Sequence, residues 1–117
     1  MKKVYYLSTC STCTRILNEL GPLVADFEKQ DIKTEAMTFG QVDQMKELSG
    51  SYESLFSRKA MKYRSMGLGE KTLTENDYRE LIQEEYTFLK RPVFIVVDKI
   101  FVGNSKKIVE SLTDHLS

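Results

Sequence analysis

The sequence is poor in the residues that build metal centres and disulfide scaffolds. Its 117 residues hold two cysteines and one histidine. A zinc site of the Cys-x-x-Cys kind needs further ligands, and His115 is the sole imidazole that could serve. Zinc binding is therefore not expected. Long hydrophobic runs are missing too, so no stretch reaches the length of a membrane span. After Met1-Lys2-Lys3 the apolar stretch is only Val4 to Leu7, too short for the core of a signal peptide, and a cytoplasmic location is the expectation. Net charge is also absent. Lys+Arg and Asp+Glu each number 17, which argues against charge-driven binding to nucleic acid or anionic membranes, while a local basic patch stays open. Repeats, low-complexity tracts and linkers are lacking. With 41% hydrophobic residues, the chain reads as one globular domain over residues 1–117.

What is present is concentrated near the start. Val4-Tyr5-Tyr6-Leu7 is a run of strand formers that leads into Cys10-Ser11-Thr12-Cys13. Behind the pair, Ile16, Leu17 and Leu20 fall at helical spacing until Gly21-Pro22. A helix N-terminus offers free amide N–H groups and the positive end of a dipole. A cysteine placed there ionises more readily, and the thiolate is the attacking form. Cys13, one turn on, is placed to reach the Cys10 sulfur. A buried structural pair is the alternative, since free cysteine packs as a small hydrophobe. In a reducing compartment such a pair is more often catalytic than a permanent staple.

The pattern predicts a strand over about 3–7 and a helix over about 11–20. The next segment is ambiguous; a strand around 25–29 is favoured, because a parallel partner should follow a crossover helix. Thr38 with Gln41 forms a capping box for a helix that ends at Gly50. A further helical piece is expected over 51–60, and Thr74 with Asp77 opens another helix. Val93 to Val97 reads as a buried strand and Ile100 to Val102 as its hairpin partner, with the turn at Asp98-Lys99. Ser105 caps a last helix. This order, with Pro92 opening the third strand, is α/β and describes a thioredoxin-like fold with a helical insertion between the second and third strands. There Pro92 reads either as a simple strand boundary or as half of a cis Arg91-Pro92 bond set opposite Cys10.

The Cys10 loop, Ser57-Arg58-Lys59, Leu89-Lys90-Arg91-Pro92 and Val102-Gly103-Asn104 together resemble the arsenate reductases of the glutaredoxin-coupled type and their Spx-like relatives. The likeness implies that Cys10 is the nucleophile toward arsenic, that Arg58 and Arg91 hold the oxyanion, and that Pro92 is the cis proline beside it. A planar guanidinium fork suits two oxygens of a tetrahedral anion. It implies no bound cofactor, but an external thiol reductant: glutathione with glutaredoxin, or thioredoxin. Two departures stand out. The family's third arginine is replaced by Gly103-Asn104-Ser105, and Cys13 adds a cysteine that such reductases usually lack. Cys13 would allow an internal redox-active disulfide, as a resolving cysteine or an Spx-like switch. Gly50 resembles the glycine through which Spx-type regulators dock on RNA polymerase, so the α-subunit of the polymerase is an expected alternative partner.

Overall fold

The computed structural model describes all residues, Met1–Ser117, and the chain forms two compact units. The first comprises Met1–Glu35 and Arg91–Ser117, and the second Ala36–Lys90.

The first unit is a four-stranded sheet with helices. Its strands are β1 (Lys2–Tyr6), β2 (Glu28–Asp31), β3 (Val93–Val96) and β4 (Lys99–Val102), in the order β2-β1-β3-β4. β1 and β2 run parallel, and the other neighbours are antiparallel. Helices α1 (Ser11–Leu20) and α5 (Lys106–Leu116) belong to this unit. The sheet is of the thioredoxin-like kind. β3 is apolar throughout and wholly buried, as a central strand covered on both faces must be. Val4, Phe94 and Val96 from the sheet form one cluster with Ile16 and Leu20 of α1, Phe27, and Leu112 of α5. Phe27 meets Phe94 edge to face at 6.0 Å between ring centres.

β2 lies later than the sequence suggested. Gly21–Val24 is a turn of 3₁₀ helix opened by Pro22, and the apolar Val24 and Phe27 fill the core before the strand begins. The strand itself is Glu-Lys-Gln-Asp, and its one buried residue is Gln30, whose Nε2 donates to the Glu35 carbonyl at 3.1 Å. A polar edge strand carries no hydrophobic alternation to read. The hairpin turn is also displaced by one residue. Val96 pairs with Lys99, so Val97 and Asp98 are the loop residues. Val97 adopts φ 59°, a conformation uncommon for any residue but glycine.

The second unit contains α2 (Phe39–Ser49), α3 (Met61–Ser65) and α4 (Glu75–Glu84). Both expected capping boxes form. Thr38 and Gln41 exchange bonds at the head of α2, as Thr74 and Asp77 do at the head of α4. Gly50 ends α2 at φ 99° and donates to the Lys46 carbonyl. The helix expected over 51–60 is reduced to a 3₁₀ turn at Glu53–Leu55, and α3 begins only at Met61. Serine hydroxyls compete with the helix here. The Ser54 N–H donates to Ser51 Oγ at 3.1 Å, and Ser54 Oγ bonds Ser49 Oγ at 2.9 Å. Beyond the turn the chain is extended and pairs with residues 88–90: Lys90 N–H donates to the Leu55 carbonyl and Ser57 N–H to the Phe88 carbonyl. Phe56 anchors this unit, with ring centres of Tyr78 at 4.8 Å and Phe88 at 5.0 Å.

Candidate active site

The direction of β1 decides where the cysteines go. The strand ends at Tyr6, and the loop after it is closed by a bond from the Cys10 N–H to the Leu7 carbonyl at 3.0 Å. Cys10 is then the N-cap of α1, with extended backbone angles, and its carbonyl accepts the Thr14 N–H at 3.1 Å. Its own side chain makes no capping bond, so the sulfur is set beside the unsatisfied amides of the first turn. Cys10 is half-buried, Cys13 is fully buried, and both are free thiols.

The two sulfurs are chemically unequal. Burial alone would raise the pKa of Cys10. Against it, the N–H and S–H of Cys13, the Arg91 guanidinium and the Thr12 N–H together hold it below that of an ordinary thiol. Cys13 moves the other way and is pushed up to about 11. Burial is the main cause, followed by its donation to Cys10 and the nearby Cys10 charge. Of the two, Cys10 is therefore the one that ionises first, and Cys13 the one that keeps its proton.

β3 brings up the other side of the site. Because β1 and β3 are antiparallel with Tyr5 opposite Val93, the residues entering β3 lie beside the loop leaving β1. Those residues are Arg91 and Pro92, and the bond between them is cis, one of the two readings open in the sequence. The Pro92 carbonyl accepts the Gly103 N–H at 2.9 Å, which ties in the Val102-Gly103-Asn104 tail. Gly103 stands at φ 95°, so glycine suits that corner.

Cys10, Cys13, Arg91 and Pro92 thus share the first unit. Arg58 belongs to the second, where its Nη2 donates to Glu53 Oε2 at 2.7 Å and to the Tyr78 hydroxyl at 3.0 Å. Two features of the candidate site were not visible in the sequence. Thr12 acts through a backbone N–H, which any residue type supplies. The Glu53–Arg58–Tyr78 contact joins residues with no fixed spacing.

Comparison with known proteins is decisive at the level of family. The sequence model of the ArsC family matches residues 5–112. The chain belongs to the ArsC family. Among solved structures, a possible arsenate reductase from Streptococcus mutans UA159 is 28% identical, with a TM-score of 0.76 over 96% of this chain and 97% of that one. An ArsC-family-related protein from Bacteroides fragilis is 22% identical, with a TM-score of 0.80 over 95% and 96%. An arsenate reductase from Vibrio cholerae is 13% identical, with a TM-score of 0.78 over 97% and 95%. At those last two identities the likeness speaks for the fold alone. No curated protein sequence matches this ArsC-family chain. No group of three or more His, Cys, Asp or Glu side chains gathers to hold a metal ion. No helix is long and apolar enough to cross a membrane.

Proposed function

We propose that this ArsC-family chain is a cytoplasmic, arsenate-reductase-like thiol oxidoreductase. The observation that carries the reading is the split between the two thiols: an activated Cys10 at a helix N-terminus and a buried, protonated Cys13 that donates to it.

The split sets an order of events. The Cys10 thiolate attacks the As(V) centre of arsenate and an oxygen leaves as water, giving a Cys10 sulfur–arsenic bond. Arg91 and Arg58 are the oxyanion ligands that the family resemblance implies, and the planar donors of a guanidinium match two oxygens of such an anion. Once Cys10 is bonded to arsenic its charge is gone. Two of the three influences that keep Cys13 protonated go with it, namely its hydrogen bond to Cys10 and the Cys10 charge, and burial remains. Cys13 then ionises more easily and attacks the Cys10 sulfur. The sulfur–arsenic bond breaks, its electron pair stays on arsenic, and arsenite departs from a Cys10–Cys13 disulfide. An external thiol, from thioredoxin or from glutathione with glutaredoxin, returns the pair to the reduced state. No bound cofactor is required.

The test is arsenate-dependent NADPH oxidation coupled in parallel to thioredoxin with its reductase and to glutathione with glutaredoxin. Turnover is expected in the wild type and lost in Cys10→Ser. Turnover lost in Cys13→Ser and supported by thioredoxin would identify Cys13 as the resolving cysteine. Silence under both systems would overturn the reading.

One feature favours a second reading. The tail after β4 is Gly103-Asn104-Ser105, with no arginine where such reductases carry a third. A non-enzymatic, Spx-like regulator needs no complete anion pocket, and the cysteine pair would then be its oxidation switch. A pull-down of oxidised and of reduced protein on the carboxy-terminal domain of the RNA polymerase α-subunit tests this alternative, and binding in neither state would remove it.

A further inference from the structure

Arg58 is a long side chain on an extended stretch, with 47% of its surface open to solvent. Left to itself it would sample many rotamers, and ordering it on an anion would weaken binding. The second unit holds it in place from two sides. Its Nη2 donates to Glu53 Oε2 at 2.7 Å and to the Tyr78 hydroxyl at 3.0 Å, and its guanidinium carbon lies 5.8 Å from the Tyr78 ring centre. The 3₁₀ turn that carries Glu53 is fastened in turn to α4. Glu75, in the first turn of that helix, accepts the Tyr52 N–H on Oε1 at 2.8 Å and the Glu53 N–H on Oε2 at 3.1 Å. Tyr78 lies three residues further along the same helix. One turn of α4 therefore fixes both the backbone that leads to Arg58 and the guanidinium itself.

A half-exposed ion pair adds little to stability, since both partners are well solvated. Its effect is geometric. Both contacts use Nη2 and so fix the plane of the guanidinium, while its other N–H donors, on Nε and Nη1, point elsewhere in that plane. Resting on the reading of Arg58 as an oxyanion ligand, we propose that Glu53 and Tyr78 are positioning residues that hold its guanidinium ready for the anion, with α4 as their support.

The experiment compares Arg58→Ala, Tyr78→Phe, Glu53→Gln and the doubles of Arg58→Ala with each of the others, by steady-state arsenate reduction. Tyr78→Phe keeps the ring that packs on Phe56. We expect each of the two positioning variants to raise KM for arsenate about five-fold, the scale of one ordinary lost hydrogen bond, because the contacts are half-exposed. The kcat, the rate of Cys10 alkylation and the thermal midpoint should stay at wild-type values. In the Arg58→Ala background the same substitutions should add nothing. Raised KM in Arg58→Ala with unchanged or lowered KM in both Tyr78→Phe and Glu53→Gln would overturn the positioning role and leave the oxyanion reading standing. So would effects that persist at full size without Arg58. Unchanged KM in Arg58→Ala, or no arsenate turnover in the wild type, would overturn the reading of Arg58 and the positioning role with it.

Discussion

Glycine at position 97 should make the protein more stable, although it removes an isopropyl group. Val97 is the first loop residue of the β3–β4 hairpin and stands at φ 59°. An L-residue forced to positive φ costs about 1–2 kcal/mol, and a β-branched one belongs at the upper end. Two losses oppose the relief. Glycine gains more freedom than valine in the unfolded chain, which costs about 0.7 kcal/mol. The side chain is 68% exposed, so only a third of its burial is forfeited, about 0.5 kcal/mol. The backbone bond from the Val97 N–H to the Met1 carbonyl, 2.7 Å long, is untouched by the change. The balance favours Val97→Gly by about 1 kcal/mol, or roughly 3–5 °C in thermal midpoint for a chain of this size. Urea unfolding followed by circular dichroism would measure it, with an unchanged slope showing that the unfolded state is comparable. Val97→Ala is the control, because it loses the same apolar contact but keeps the Cβ that causes the strain. The reasoning is refuted if the glycine variant is no more stable than the alanine variant.

The coupling between the thiols predicts that Cys13→Ala raises the pKa of Cys10, because the S–H donor is lost while Arg91 and the Thr12 N–H remain. In the reduced protein, iodoacetamide labelling of Cys10 against pH should shift its midpoint upward and slow several-fold at neutral pH; an unmoved or lowered midpoint would contradict the coupling. In the wild type, the depressed Cys10 pKa makes the ionised fold gain stability as pH rises through the folded value, and that gain is lost as pH falls through it. In the second unit, Arg79 donates to both Asp43 oxygens, at 2.7 and 3.1 Å, and with the Tyr52 hydroxyl holds the Asp43 pKa at about 2. That contribution is present above the ordinary carboxylate range and fades as pH falls through about 2. Asp43→Asn should thus be modestly less stable than the wild type at pH 7, both side chains being partly in water, and the gap should close toward pH 2. Urea midpoints at several pH values would read it, and a gap independent of pH would count against the ion pair as its source.

Sequence legibility followed locality. The α1 helix, the two capping boxes, the stop at Gly50 and the β3–β4 pairing were readable because each depends on residues a few positions apart. Cys10 as the N-cap was readable for the same reason. β2 was misplaced because its strand is polar, while Val24 and Phe27, which carry the apolar signal, pack from the turn before it. The helix expected over 51–60 failed because Ser49, Ser51 and Ser54 satisfy one another and Phe56 bridges to Leu89, a partner over thirty residues away. Within the candidate site, the residue types of Cys10, Cys13, Arg91 and Pro92 could be picked out in advance. The inequality of the thiols could not, since it depends on how deeply Cys13 is buried. Nor could the grip of Glu53 and Tyr78 on Arg58, which depends on where α4 runs.

The second unit occupies one continuous stretch of chain, residues 36–90, set between β2 and β3. Cys10, Cys13, Arg91 and Pro92 are all encoded outside that stretch, while Arg58, Glu53 and Tyr78 are encoded within it. On the proposed function, reactivity and part of anion recognition are thus written in different parts of the gene. On that reading, recombination at the two junctions, after Glu35 and after Lys90, would exchange the recognition segment in one piece and leave the cysteine pair in place. A lineage built this way can explore new substrates without rebuilding its nucleophile, and a protein engineer can graft by the same two cuts.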